Sequence, residues 1–329
     1  MHLEKGDTVG IASPSSSIVN FPRRLRRGII ALEGLGLKVV LGKNIVSSFG
    51  HNAGTVTERA KDINDLFADE SVKAIICSTG GYNANAVLPL IDFDLIRRNP
   101  KIFCGFSDIT VLNLAINLQA KLITFNGPTV LPTLGEFGGP FKFTIDYFKK
   151  ALFKPEPIGK LVYPTEFTDE VLWWETEDNR KRKLKTAPSP RVVYDGTAEG
   201  TLWGGNLDTL SLLIGTNYVK CPDNCILFLE EEGESTASIE RKLTHLDQLG
   251  VFKKINGLIF GRPYHLTTNE KDRNLYDILL YFAAKYGFPV IADVDCGHTN
   301  PMFTFPIGVK VSLSTKNGPE IIFLESATI

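Results

Sequence analysis

The chain has 329 residues, enough for two domains at roughly 150 residues each or for one large one. Hydrophobic residues make up 43%, charged residues 22%, and the formal net charge is -1, a balance that fits a soluble globular protein and argues against nucleic acid as a partner. The start, Met1-His-Leu-Glu-Lys-Gly-Asp7, lacks the apolar run of a signal peptide, and no stretch reaches the roughly 18 apolar residues of a membrane span, so a cytoplasmic protein with no membrane partner is expected.

Apolar, β-rich runs at 8–12, 37–41, 74–78 and 102–106 alternate with helical periodicity at 21–35 and 56–67. Arg23, Arg24, Arg26 and Arg27 on the first helix read as a solvated face. The second helix opens on Thr55-Val-Thr-Glu58, a capping box. This βαβα rhythm predicts an α/β fold with a doubly wound parallel sheet over residues 1–150, whose ligand sites lie at the carboxyl ends of the strands. From Leu131 to about Arg191 the pattern weakens into a Pro, Gly and charge-rich stretch, and 151–190 reads as a linker carrying a long loop. Strands at 197–202, 226–229, 255–260 and 290–293, helices at 207–214, 238–249 and 274–286, and a closing hairpin at 309–324 turning at Lys316-Asn-Gly318 predict a second α/β domain with a mixed sheet over 191–329. The five cysteines are odd in number and scattered. Cys221 and Cys225 lack a second Cys or His pair, so neither disulfides nor a metal site is expected.

The sharpest local signal is Ile102-Phe-Cys-Gly-Phe-Ser107-Asp-Ile-Thr110, an apolar strand running into a helix through Gly-Phe-Ser. Such a turn lifts the serine oxygen out of the sheet and leaves the Asp108 amide at a helix N-terminus, where it can bind an oxyanion. Ser107 also suits an ordinary helix N-cap. Cys104, inside the strand, is a competing nucleophile whose thiol should be buried. A second oxyanion donor could come from the loop Ser78-Thr-Gly80-Gly81-Tyr-Asn83, which would equally suit a phosphate. Among the five histidines, His298 stands out in a Gly/Pro loop just past an apolar strand, and Glu230 ends the run Leu227-Phe-Leu, whereas Glu231, Glu232 and Glu234 read as solvated residues. Nucleophile, base and orienting acid would then meet at three strand ends, the logic of a serine hydrolase.

Together, Lys5-Gly-Asp-Thr-Val-Gly-Ile-Ala-Ser-Pro-Ser15, Gly80-Gly-Tyr-Asn-Ala-Asn85, Gly105-Phe-Ser-Asp-Ile-Thr110, Gly204-Gly-Asn-Leu207, Phe228-Leu-Glu230 and Gly297-His298 resemble the LD-carboxypeptidase family of serine peptidases, and especially its microcin C self-immunity branch. The resemblance covers nearly the whole chain. It implies a triad of Ser107, Glu230 and His298, an oxyanion hole from the amides of Gly81 and Asp108, no metal or cofactor, and a homodimer. It also implies one of two substrates: a murein tetrapeptide losing its terminal D-alanine, or a peptide or aminoacyl group joined by a carboxamide to a nucleotide. The segment around Trp173 and Trp174 resembles the extended loop of the self-immunity branch, where an aromatic surface stacks a base, though hydrophobic anchoring of the loop would also account for both. Asn206 is expected either to touch substrate or to cap the helix that follows it. The alternative outside the enzymes is a nucleotide- or peptide-binding protein on the same frame.

Overall fold

The computed structural model describes residues 2–269 and 271–329. The first part runs β1 (Thr8–Ala12), α1 (Pro22–Gly34), β2 (Lys38–Leu41), α2 (Val56–Ala68), β3 (Val72–Cys77), α3 (Phe93–Arg98), β4 (Ile102–Gly105), α4 (Thr110–Ala120), β5 (Thr124–Asn126) and α5 (Lys142–Leu152). Short strands β6 (Gly159–Lys160), β7 (Glu166–Phe167) and β8 (Lys185–Thr186) lead to β9 (Arg191–Tyr194), β10 (Thr197–Asn206), α6 (Leu207–Leu213) and β11 (Cys225–Glu230). The chain closes with α7 (Thr236–Gln248), β12 (Ile255–Gly261), α8 (Leu275–Tyr286), β13 (Val290–Val294), β14 (Phe305–Ile307), β15 (Lys310–Ser314) and β16 (Glu320–Phe323).

The first sheet has the order β14-β5-β4-β3-β1-β2 and is parallel except where β14 pairs antiparallel with β5. Strands β1, β3 and β4 are nearly continuous apolar runs because helices cover both faces; Val9, Ile11, Ile75, Ile76 and Phe103 are all buried. The order 2-1-3 makes the gap between β1 and β3 a topological switch point, where connections leave in opposite directions and open a crevice at the carboxyl ends. The capping box of α2 forms as expected, Thr55 and Glu58 bonding each other's backbone amides.

The second sheet has the order β6-β16-β15-β10-β11-β12-β13-β9, with β10 to β13 parallel and the flanking pairs antiparallel. The fold is thus α/β with one parallel-rich and one mixed sheet. The two sheets are tied by α4: Asn206 at the end of β10 donates its amide to Thr110 Oγ1 at 3.0 Å. Among the described residues no helix is long and apolar enough to cross a membrane.

Two departures from the sequence reading concern the stretch after Leu131 and the end of the strand at 197–202. The stretch after Leu131 contains α5, whose Tyr147, Phe148, Ala151 and Leu152 are buried at helical spacing; the prolines and glycines around it obscure that period. Strand β10 also runs on through Gly204 and Gly205 to Asn206, because both glycines press against neighbours that leave no room for a side chain. A Cβ on Gly204, whose φ is +139°, would lie 1.9 Å from the Phe228 carbonyl oxygen. Gly204→Ala is therefore expected to lower folding stability by about 2–5 kcal/mol, read as a fall in the urea midpoint.

Candidate active site

Ser107 follows extended Phe106 and adopts φ 65°, a left-handed conformation that costs a non-glycine residue about 1–2 kcal/mol. That geometry sets the turn apart from an ordinary N-cap. A capping residue holds an extended conformation and accepts a bond from the amides ahead of it, whereas here Phe106 is the extended residue and no side chain caps the turn. The strained turn points to a nucleophile elbow. Cys104 is fully buried, and desolvation pushes its thiol up, which removes the competing nucleophile.

The loop after β3 packs directly on this turn. A Cβ on Gly80 would meet Ser107 Cβ at 2.8 Å and the Asp108 amide nitrogen at 3.3 Å, and one on Gly81, at φ +124°, would collide with the Ser16 side chain. Glycine is required at both positions for the loop to lie against the serine. The Asp108 carboxylate fixes the arrangement: Oδ2 accepts from Ser15 Oγ at 2.5 Å and from the Ala84 amide at 2.8 Å. Burial raises its pKa, opposed by those two bonds and by Arg59. Arg59 in turn donates to the carbonyls of Pro14 and Asn83. One buried side chain thus joins the loops after β1, β3 and β4.

Glu230 ends β11 fully buried, and its Oε2 lies 2.6 Å from Nδ1 of His298. Two glycines make the approach possible, since a Cβ on Gly297 would lie 2.5 Å from Glu230 Oε2 and one on Gly261 2.7 Å from Glu230 Cβ. Gly297 therefore makes room for the carboxylate. The His298 ring packs on Phe106, with centroids 5.0 Å apart, and Asn126 Nδ2 holds the loop through the Cys296 carbonyl at 3.0 Å. Burial lowers the pKa of His298, but Glu230 and Glu232 outweigh it and push the imidazole up to about 10. Nε2 faces Glu232 Oε2 at 3.1 Å.

Ser107, Gly81, Asp108, Asn206, Trp174 and His298 all line one cavity of about 580 Å³. A hydroxyl, an imidazole oriented by a carboxylate, and backbone amides around one volume form an arrangement suited to acyl transfer. Residues 9–127 match the LD-carboxypeptidase N-terminal domain, and residues 199–313 match the LD-carboxypeptidase C-terminal domain. The chain belongs to the LD-carboxypeptidase family. It is 34% identical to the microcin C7 self-immunity protein MccF of Escherichia coli over 96% of this chain and 92% of that protein. It is 33% identical to a probable murein peptide carboxypeptidase of Bacillus subtilis over 97% and 92%. The structure of MccF in complex with aspartyl sulfamoyl adenosine matches with a TM-score of 0.92 at 32% identity, covering 99% of this chain and 98% of that one.

In this member of the LD-carboxypeptidase family the remaining candidates separate. Trp174 lines the cavity, meets Phe21 edge-on at 5.1 Å and carries the Arg24 guanidinium over its ring at 4.6 Å; Trp173 is largely exposed and is not part of the lining. The arginines of α1 do not form a uniform solvated face. Arg24 is buried and grips Asp178 with two bonds at 2.9 and 3.1 Å, Arg27 joins it on the same carboxylate, and the pair clamps the 151–190 segment over the cavity. Nothing in the local pattern of α1 reveals a partner so distant in sequence. Glu231 is likewise not solvated: it is buried, accepts from the amides of Glu234 and Tyr264, and is pushed up to about 7, chiefly by desolvation.

Asn206 both caps and orients. Its Oδ1 accepts from the Thr209 amide at 3.0 Å and its Nδ2 donates to Glu230 Oε1 at 2.9 Å. Asn206→Ser keeps a capping oxygen but cannot reach Glu230, whereas Asn206→Ala loses both contacts. Both variants are expected to lose about tenfold or more in kcat, while only the alanine variant also loses about 1 kcal/mol of capping stability in denaturant unfolding.

Proposed function

We propose that this protein is a serine amide hydrolase in which Ser107 is the nucleophile, His298 the general base and Glu230 its orienting acid, acting on a peptide or aminoacyl group joined to a nucleotide. The observation that carries the reading is the shared cavity in which Ser107, His298 and an aromatic ring, Trp174, open together. Ser107 Oγ attacks the carbonyl carbon and passes its proton to His298 Nε2, while the amides of Gly81 and Asp108 hold the oxyanion. Collapse breaks the carbon–nitrogen bond as His298 returns the proton to the leaving nitrogen. Water, deprotonated by the same imidazole, then attacks the acyl-enzyme and releases the acid and free Ser107.

Base stacking falls to Trp174. One indole face is taken by Arg24, so a base would use the other. The sulfamoyl nucleoside bound in the MccF structure supports a nucleotide-linked substrate. The nearly equal identity to the murein peptide carboxypeptidase supports the alternative, release of D-alanine from a murein tetrapeptide. On the family resemblance the protein is a cytoplasmic homodimer needing no cofactor; its parts, residues 1–150 and 191–329 joined by 151–190, are interlocked by the strand at Phe305–Ile307, which crosses back to the first sheet.

The test is turnover of a peptide-linked aspartyl sulfamoyl adenosine beside a murein tetrapeptide. Ser107→Ala is expected to lose on the order of 10⁴-fold or more on whichever is cleaved, and undiminished turnover sinks the triad. On the adenosine conjugate Trp174→Ala is expected to raise KM about 5- to 100-fold and Trp173→Ala to change it little. Cleavage of the tetrapeptide alone selects the murein reading, and cleavage of neither leaves a binding protein.

A further inference from the structure

A carboxylate lies beside each ring nitrogen of His298. Glu230 Oε2 lies 2.6 Å from Nδ1 and Glu232 Oε2 lies 3.1 Å from Nε2. Nε2 is the atom that must accept the proton of Ser107, so Glu232 competes with the serine hydroxyl for that nitrogen. The two carboxylates are held very differently. Glu230 is fully buried, walled by Gly261 and Gly297 and bonded by Asn206. The Glu232 side chain is 54% exposed, and among the described residues its carboxylate has no other ion pair or hydrogen bond. One is built into the site; the other can leave it.

We infer that Glu232 is a substrate-released latch, a positioning residue whose carboxylate occupies Nε2 of His298 in the free protein and yields to substrate entering the cavity. This rests on the reading of His298 as the base. Burial works against the imidazolium, but the two carboxylates together favour it strongly, and a ring protonated at neutral pH cannot take a proton from Ser107. The groups facing the ring from other elements do not substitute for Glu232. Glu231 is occupied by the amides of Glu234 and Tyr264, Tyr264 presents its ring at 5.9 Å, and Phe106 is apolar. Displacing Glu232 leaves Glu230 alone with His298, so the pKa falls and Nε2 becomes a competent acceptor. A free protein with its base latched would spend little time as an indiscriminate hydrolase.

The test is the rate at which Ser107 is phosphonylated by a small fluorophosphonate across the pH range, a reaction that needs the base but not the natural substrate. The reactive species is the neutral imidazole, so the rate rises with pH through the pKa of free His298. Glu232→Gln is expected to move this limb to lower pH by about one unit or more, giving about tenfold faster labelling below the wild-type midpoint. Glu232→Asp should fall between the two. The same shift should appear in a Glu231→Gln background, which removes the neighbouring carboxyl that burial pushes up to about 7. Coincident limbs, or slower labelling of Glu232→Gln at every pH, overturn the latch while leaving the triad intact. No Ser107-dependent labelling of any folded variant overturns the latch together with the reading beneath it.

Discussion

Taking a carboxylate out of water costs several kcal/mol unless it gains a partner of opposite charge and its remaining lone pairs are bonded. Glu230, with no exposed surface, meets that requirement through His298 on one oxygen and Asn206 on the other. Each partner is committed elsewhere. Asn206 caps α6 and hangs from Thr110 at the start of the serine's own helix, while the His298 loop is bonded to Asn126 in the first sheet. Solvating one carboxyl group correctly therefore fixes β10, β11 and the loop after β13 against the turn that carries Ser107.

A second buried carboxylate does the same for the opposite wall. Asp108 sits beside the nucleophile with its carboxylate bonding the loops that follow β1 and β3 at the switch point of the sheet. Its own amide is one of the two proposed to hold the oxyanion, so one residue would supply a donor and hold the neighbouring loop in register. The site is polar on both walls, yet its main polar supports lie behind the surface, where water cannot compete for them.

Much of this was legible because it is local. A strand-to-helix turn with serine at its apex, a glutamate ending an apolar run and a histidine in a Gly/Pro loop each announce themselves within ten residues. What stayed hidden depends on contacts between distant segments. Arg24 looks like any helical surface arginine until Asp178 is brought beneath it, and Trp173 and Trp174 are indistinguishable until one turns onto Phe21. Glu231 and Glu232, adjacent in a charged tripeptide, divide into a buried acid and an exposed one because the Tyr264 loop covers only the first. Helix α5 was masked by the prolines and glycines around it, although its buried face has ordinary helical spacing.

The edge strand β14 carries an implication for how the chain reaches this state. Phe305 pairs with Asn126, so the first sheet borrows its outermost strand from near the end of the sequence. During synthesis every other strand of that sheet leaves the ribosome early, and β5 then waits with an unpaired row of amides and carbonyls while most of the second sheet is made. The first sheet is thus an open-edged fragment until residues 305–307 have been made. Truncation after the first sheet would yield a sticky template rather than an independent module, and the late strand is what commits both halves to one folding event.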